Sequence, residues 1–197
     1  MPRHAFSVLV LVASLVSPAV AGVTLYWGSP EPWQSDVGEY STVDFLGIPH
    51  NTVVTNQYAD LGVTFTEGDD RAINLGDFET FLTDGAGLDG NLSIGLSFAQ
   101  PMNHLAMDYP GGMRIKLFSG GELFYTSPII SPGSGVGNFA GIVSTRSFDS
   151  VLLYDWLQGS DVYLDNLHFG APIPAPGVVS LLSLAGLGAF GGRRRTR

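Results

Sequence analysis

The 197-residue sequence contains no cysteine. Disulfide bonds, thiolate zinc sites and a cysteine nucleophile are therefore excluded. Charged residues make up only 14% of the chain, which also carries 26 glycines and 12 prolines. This composition disfavours long helices, coiled coils and a solvated disordered chain, and it favours short strands joined by many turns.

Basic residues are scarce between residues 22 and 171. This segment holds all 18 acidic residues but only Arg71, Arg114, Lys116 and Arg146 as cations, which gives it a formal charge of −14. A surface that binds nucleic acid has to be basic in order to displace counterions from phosphates. Nucleic acid is therefore excluded as a partner. A domain of about 150 residues can fold without a metal ion or a disulfide bond.

Residues 1–21 are typical of a secretory signal peptide. Arg3 provides a positive start, an apolar run covers residues 8–16, and Ala19 and Ala21 have the small-x-small spacing of a cleavage site. The apolar run is too short to cross a hydrocarbon layer of about 30 Å comfortably. We therefore expect cleavage after Ala21 rather than an uncleaved anchor.

Residues 172–197 form a tail with three parts. A proline-rich linker comes first, an uncharged apolar run follows over residues 178–190, and the chain closes on an arginine cluster. The run predicts a short hydrophobic helix of about 20 Å, which is a marginal membrane span. An arginine cluster resists translocation. An exported chain with this tail is expected to pause in the inner membrane with its body outside.

This tail resembles the PEP-CTERM sorting signal of Gram-negative bacteria. The matching residues are Pro174, Pro176, the run 178–190, and Arg193, Arg194 and Arg195, while Ala175 stands where the family usually has Glu. The chain is thus a Pro-Ala-Pro variant of the signal. The resemblance implies transient insertion into the inner membrane and processing by an exosortase. It further implies a final location at the cell surface or in the extracellular matrix.

Residues 22–171 show the period-two alternation of strands. Apolar and polar residues alternate over residues 62–66, 92–98 and 113–117. In the last of these, both cations fall on the face opposite the apolar residues. Ser119-Gly120-Gly121 predicts a hairpin turn after that strand. Without a helical apolar stripe of 12 or more residues, the pattern predicts an all-β domain, an antiparallel two-sheet sandwich.

The order of these segments also resembles a bacterial extracellular jelly roll of the carbohydrate-binding or lectin-like kind. The residues that carry this resemblance lie at 58–65, 139–142, 148–151 and 164–169. The resemblance implies a jelly-roll-like sandwich and, by analogy only, sugar binding.

Acidic residues suggest a structural calcium ion. Glu67, Asp69 and Asp70 form an acidic turn directly after a predicted strand, and oxygen-rich turns suit Ca²⁺. In the resembling sandwiches, such an ion often ties an early loop to the last strand, where Asp165 lies. The alternative is a solvated turn. No other cofactor is expected.

Aromatic residues give the best binding hypothesis, since sugar rings stack on Trp and Tyr. Leu152, Tyr154 and Trp156 fall on one face of a predicted strand. If that face is exposed, Tyr154 and Trp156 form a glycan contact; we expect it to pack in the core instead. Trp27 and Trp33, in a proline-rich segment, are expected to be exposed.

Sequence patterns that indicate catalysis are weaker than those that indicate binding, so we predict that the protein is not an enzyme. There is no G-x-S-x-G elbow, and His104 and His168 fit ordinary strand positions. The sequence predicts an exported matrix or adhesion component that binds polysaccharide. A glycan hydrolase with paired carboxylates is the alternative. Ice binding is a third possibility, but it needs a flat regular array, and only Thr64 and Thr66 form a Thr-x-Thr pair.

Overall fold

The structure, a computed structural model, describes residues 22–67, 71–74, 86–90, 92–108, 112–130, 138–155 and 161–171. Strands dominate these ranges. They are β1 (Val23–Gly28), β2 (Ser41–Val43), β3 (Val63–Glu67), β4 (Arg71–Asn74), β5 (Ala86–Gly90), β6 (Ser93–Asp108), β7 (Met113–Ser119), β8 (Glu122–Thr126), β9 (Phe139–Asp155) and β10 (Val162–Gly170). One α-helix, α1 (Glu31–Asp36), and one 3₁₀ turn, Ala59–Leu61, complete the described elements.

Two long strands, β6 and β9, connect the sheets. Their pairing shifts register between Ser97 and His104 on β6, opposite residues 143–150 of β9. Such shifts divide each strand into two halves that pair with different neighbours. The alternation over residues 92–98 predicted only the first half of β6 as a strand.

The two halves define two antiparallel sheets. The front sheet consists of β3, residues 93–97 of β6, residues 150–155 of β9, β7 and β8. The back sheet consists of β2, residues 165–170 of β10, residues 104–108 of β6, residues 139–144 of β9 and β1. A small third group joins β4, β5 and the first residues of β10.

One hydrophobic core lies between the front and back sheets. Alternate residues of both sheets belong to a single buried cluster, which includes Ile94, Leu96, Ile115, Leu117, Val151 and Leu153 from the front sheet and Leu105, Met107, Ala140, Ile142 and Leu167 from the back sheet. Fully burying one such large side chain stabilises the fold by about 1.5–3 kcal/mol. The predicted all-β antiparallel sandwich is confirmed.

The predicted hairpin joins β7 to β8. Gly120 and Gly121 have φ angles of 60° and 79°, the positive values that a type I′ turn requires at both central positions. The Asp149 carboxylate accepts a hydrogen bond from the Gly120 N–H at 2.5 Å. This contact fixes the hairpin against β9.

Helix α1 covers the outer face of the back sheet. The Trp33 side chain is 0% exposed and packs with Ala106 and Phe139. A Cβ atom on Gly141 would come within 2.6 Å of the indole, so the glycine makes room for the ring. The expectation of an exposed Trp33 is therefore wrong, whereas Trp27 is 61% exposed as predicted.

The two predicted sorting segments lie outside the described residues. These are residues 1–21, with Ala19 and Ala21, and residues 172–197, with the predicted helix 178–190. Along the part of the chain that the structure describes, no helix has the length and apolar character needed to cross a membrane.

Candidate functional site

The outer face of the front sheet carries the residues that alternate with core positions. Val151 and Leu153 of β9 are buried, whereas Leu152 and Tyr154 between and beside them keep part of their surface exposed. We call this surface the front face; its central residues are Ser93, Gly95, Ser97, Arg114, Lys116, Phe118, Ser150, Leu152 and Tyr154. It combines hydroxyl groups, aromatic rings and two cations.

Strand register places these side chains in rows. Tyr154 lies opposite Arg114, and Leu152 lies opposite Gly95 on one side and Lys116 on the other. Directly opposed Cβ atoms in an antiparallel sheet are about 4.5–5.5 Å apart, and diagonal neighbours stay within reach of long side chains. Tyr154 therefore has a cation directly beside it and another on the diagonal.

Lys116 uses this diagonal position. Its Nζ atom lies 4.6 Å from the centre of the Tyr154 ring, within the roughly 6 Å range of a cation–π contact. At an exposed site this contact contributes about 0.5–1 kcal/mol. One side of the phenol ring is thus covered by a flexible side chain that can be displaced at small cost.

A shallow hollow on the front face, which we call the trough, has Leu152 in its lining, two residues along β9 from Tyr154. Its volume is about 210 Å³. Its lining comprises Gly95, Leu96, Ser97, Phe118, Ser150, Val151 and Leu152. Clefts that enclose drug-sized ligands usually hold about 300–1,000 Å³. The trough is therefore suited to a ligand that lies across the surface.

The trough volume of about 210 Å³ sets the scale of any bound group. Small residues, Gly95, Ser97 and Ser150, occupy the positions where larger side chains would fill the hollow. Leu152 and Phe118 contribute apolar surface, and the two serines contribute hydroxyl groups. The trough thus offers apolar contact and hydrogen-bonding groups side by side.

The structure corrects one expectation about this face. Tyr154 does not pack in the core, because Val151 and Leu153 occupy the core positions of β9 at 2% and 0% exposure. The side chain of Tyr154 therefore points outward. Trp156, its predicted partner, lies outside the described residues. A glycan contact by Tyr154 and Trp156 stays a prediction.

The four predicted calcium ligands are only partly described. Of Glu67, Asp69, Asp70 and Asp165, the structure describes the side chain of Asp165 alone. That carboxylate is buried and accepts a hydrogen bond from the Asn166 N–H at 2.8 Å. Within the described ranges, no three His, Asp or Glu side chains are grouped so that they could hold a metal ion. The calcium site stays a prediction.

Two histidines of the back sheet pack beside Trp33 of α1, and His104 is buried whereas His168 is half-buried. The ring centres of His104 and His168 lie 5.8 Å and 6.0 Å from that of Trp33. Burial lowers the pKa of both histidines. His168 also pairs with the Thr42 hydroxyl at 2.9 Å. Both occupy strand positions, as predicted, and belong to this packed cluster.

A second cavity, of about 270 Å³, lies where the chain leaves β10. It is lined by Glu39, Tyr40, Ser41, Leu61, Met102, Phe169, Gly170 and Ala171. The Tyr40 ring is engaged by Trp33 at 5.2 Å and His168 at 5.3 Å. Among the described lining residues, this cavity holds one carboxylate and the trough holds none.

Comparisons with known proteins give structural likeness alone. No protein-family model matches the chain, and no curated protein matches it. Among solved structures, a variant of a family 29 carbohydrate-binding module is 14% identical at a TM-score of 0.37, with 71% of this chain and 99% of that chain covered. Another family 29 module is 16% identical at a TM-score of 0.33, with 67% and 89% covered.

A third solved structure, a family 29 module variant complexed with mannohexaose, is 15% identical at a TM-score of 0.34, with 66% of this chain and 90% of that chain covered. At these TM-scores and identities, the likeness assigns neither a ligand nor a binding face to this chain.

Sequence reasoning did not identify most of the front face. The alternation over residues 113–117 placed Arg114 and Lys116 on one face of β7, but it did not show that β7 lies beside β9. Only that pairing brings Lys116 to Tyr154. Phe118 continues the same alternation by one step, so this signal was available in the sequence.

Proposed function

We propose that the protein is an exported, surface-sorted bacterial β-sandwich that binds extracellular polysaccharide through the front face and works as a matrix or adhesion component rather than as an enzyme. The observation that carries this proposal is the outward position of Tyr154 beside the trough.

The chemistry of the front face suits a sugar. Sugar rings present C–H groups that stack on an aromatic face, and a Tyr ring combines an apolar body with a polar tip. Ser97 and Ser150 add hydroxyl groups along the trough, where they can exchange hydrogen bonds with sugar hydroxyls. An extended chain of sugar rings can cross this face without being enclosed.

A glycan array with the full chain tests this function. We expect binding to at least one extracellular polysaccharide, and we expect Tyr154→Ala to weaken it about tenfold or more, because an aromatic contact is lost. Trp27→Ala is the matched control, since Trp27 is an exposed aromatic residue of β1, away from the trough. Equal binding by both variants, or shortening of the bound glycan, would contradict the proposal.

Sorting is a separate part of the proposal, and the sequence of the tail supports it. Pro174, Pro176 and the arginines at 193–195 fit a signal that holds the exported chain at the inner membrane until an exosortase processes it. Fractionation of cells that express the chain with and without residues 172–197 tests this role. We expect the shortened chain to lose its surface or matrix location; an unchanged distribution would refute the sorting assignment.

A further inference from the structure

Cations are concentrated on the front face of an otherwise acidic domain. Residues 22–171 contain eighteen acidic side chains and four basic ones. Two of those four, Arg114 and Lys116, lie next to Tyr154 on adjacent outward positions of β7. A third, Arg146, is paired with Glu122 at 2.8 Å, away from the trough.

Neither front-face cation is in one of the ion pairs that the structure gives for the described residues. Lys116 instead contacts the Tyr154 ring. The Arg114 Nε atom is buried and has no hydrogen-bond partner among the described residues. A buried donor without a partner costs free energy that a suitable acceptor would recover. Both side chains therefore have unused capacity for an anionic group.

A ligand that stacks on the side of the Tyr154 ring covered by Lys116 has to displace that side chain. With a neutral sugar, the displaced ammonium group would return to water and gain no partner. With an anionic sugar, the same group could swing to the edge of the bound ring and pair with its charge. This arrangement therefore favours a ligand that carries negative charge.

We infer that the glycan bound at the trough is anionic, a polysaccharide whose rings carry carboxylate or sulfate groups. This inference rests on the proposed function and narrows its ligand class. The acidic remainder of the domain opposes such a ligand only at long range, because the Debye length is about 8 Å at physiological ionic strength. Contacts with Lys116 and Arg114 act within that distance.

Matched glycan pairs test the inference with the full chain. One set compares uronic acid homopolymers with their methyl esters, and a second compares sulfated galactans with their desulfated forms. We expect the charged member of at least one pair to bind about tenfold more tightly, as one charge-assisted hydrogen bond would give. The set that shows the preference identifies the anionic group.

Charge variants locate the effect. Lys116→Gln should remove most of the preference for the charged member, because the ammonium group that pairs with its charge is lost. Arg146→Gln, which removes the same charge elsewhere, should change binding less than about twofold. Thermal melts of both variants confirm that they are folded.

The outcomes separate the two proposals. Equal binding of charged and neutral members, or a preference that Lys116→Gln leaves intact, overturns the anionic specificity while the polysaccharide-binding function stands. Failure to bind any member, together with a blank glycan array, overturns both.

Discussion

The two outer faces of the sandwich differ although the same strands, β6 and β9, supply both. On the back sheet, Ala106 and Gly141 leave space that the Trp33 side chain of α1 fills, and the centre of the face is buried. On the front sheet, the outward residues Leu152 and Tyr154 keep part of their surface exposed beside the trough. The back face is closed by the chain itself, whereas the front face is available to a ligand.

This difference separates stability from binding. A side chain on the covered face contributes through burial, so its removal should destabilise the fold. A side chain on the front face contributes little to the core, so its removal should affect a ligand. Substitutions matched across the two faces can therefore confirm or refute the division.

Removing the indole of Trp33 should give the largest effect. Trp33→Ala leaves a cavity beneath α1, and we expect a loss of about 3–5 kcal/mol in the free energy of unfolding. Tyr154→Ala, its counterpart on the front face, should cost less than about 1 kcal/mol, because the side chain lies outside the core. Urea denaturation of both variants measures the difference. Similar losses for the two would show that both faces are packed alike.

Filling the space at Gly141 should destabilise by a smaller amount. A Cβ atom there meets the Trp33 indole at 2.6 Å, and overpacking of this kind costs about 1–3 kcal/mol. The double variant Trp33→Ala/Gly141→Ala removes the obstacle, so its loss should be less than the sum of the single losses. Strict additivity in this cycle would contradict the contact.

Calcium should stabilise the chain modestly if Glu67, Asp69, Asp70 and Asp165 bind it. Extracellular sites often have dissociation constants of about 10⁻⁴–10⁻³ M, so 1 mM calcium would add about 0.4–1.4 kcal/mol. Thermal melts with calcium and with EDTA measure this gain. Asp165→Asn is expected to abolish it, and indifference to both additions would remove the metal proposal.

Lowering the pH should destabilise the fold, because two histidines pack on the covered face of the back sheet. Since burial lowers the pKa of His104 and His168, the unfolded chain binds protons more readily below about pH 6.5. The contribution of the two histidines to the free energy of unfolding should therefore be complete above that pH. It should fall as the pH drops toward the pKa values of the histidines in the folded state. Urea denaturation at pH 7.5 and 5.5 measures the loss.

A matched variant assigns this pH dependence. His168→Gln keeps a hydrogen-bonding side chain beside Thr42 but cannot titrate, so it should lose less stability between the two pH values than the parent chain. An identical loss in both would place the effect on other groups.

Local patterns predicted the strands but not their partners. The alternation over residues 113–117 and the glycines after Ser119 identified β7 and its turn, because strand period and turn chemistry are local properties. The continuity of β6 and β9 was missed, since residues 97–104 and 143–150 interrupt the alternation where the register shifts. The sheet pairing that creates the trough depends on these long-range contacts.

The positions of the aromatic residues also depend on long-range contacts that local sequence patterns do not predict. Trp33 lies in a short segment with a proline, Pro32, which suggested an exposed loop, yet the ring is buried because Gly141, more than a hundred residues away, leaves space for it. Tyr154 alternates with Val151 and Leu153 in a strand whose two faces are both apolar in sequence. Only the packing of the core decides which face points inward.

Chemical-shift mapping by NMR tests the central claim most directly. The full chain is titrated with the glycan that binds most strongly on the array. We expect the backbone amide signals of Ser97, Lys116 and Tyr154 to shift, while those of Trp33 and His168 stay unchanged. Shifts confined to the surroundings of Trp33 and His168 would contradict it.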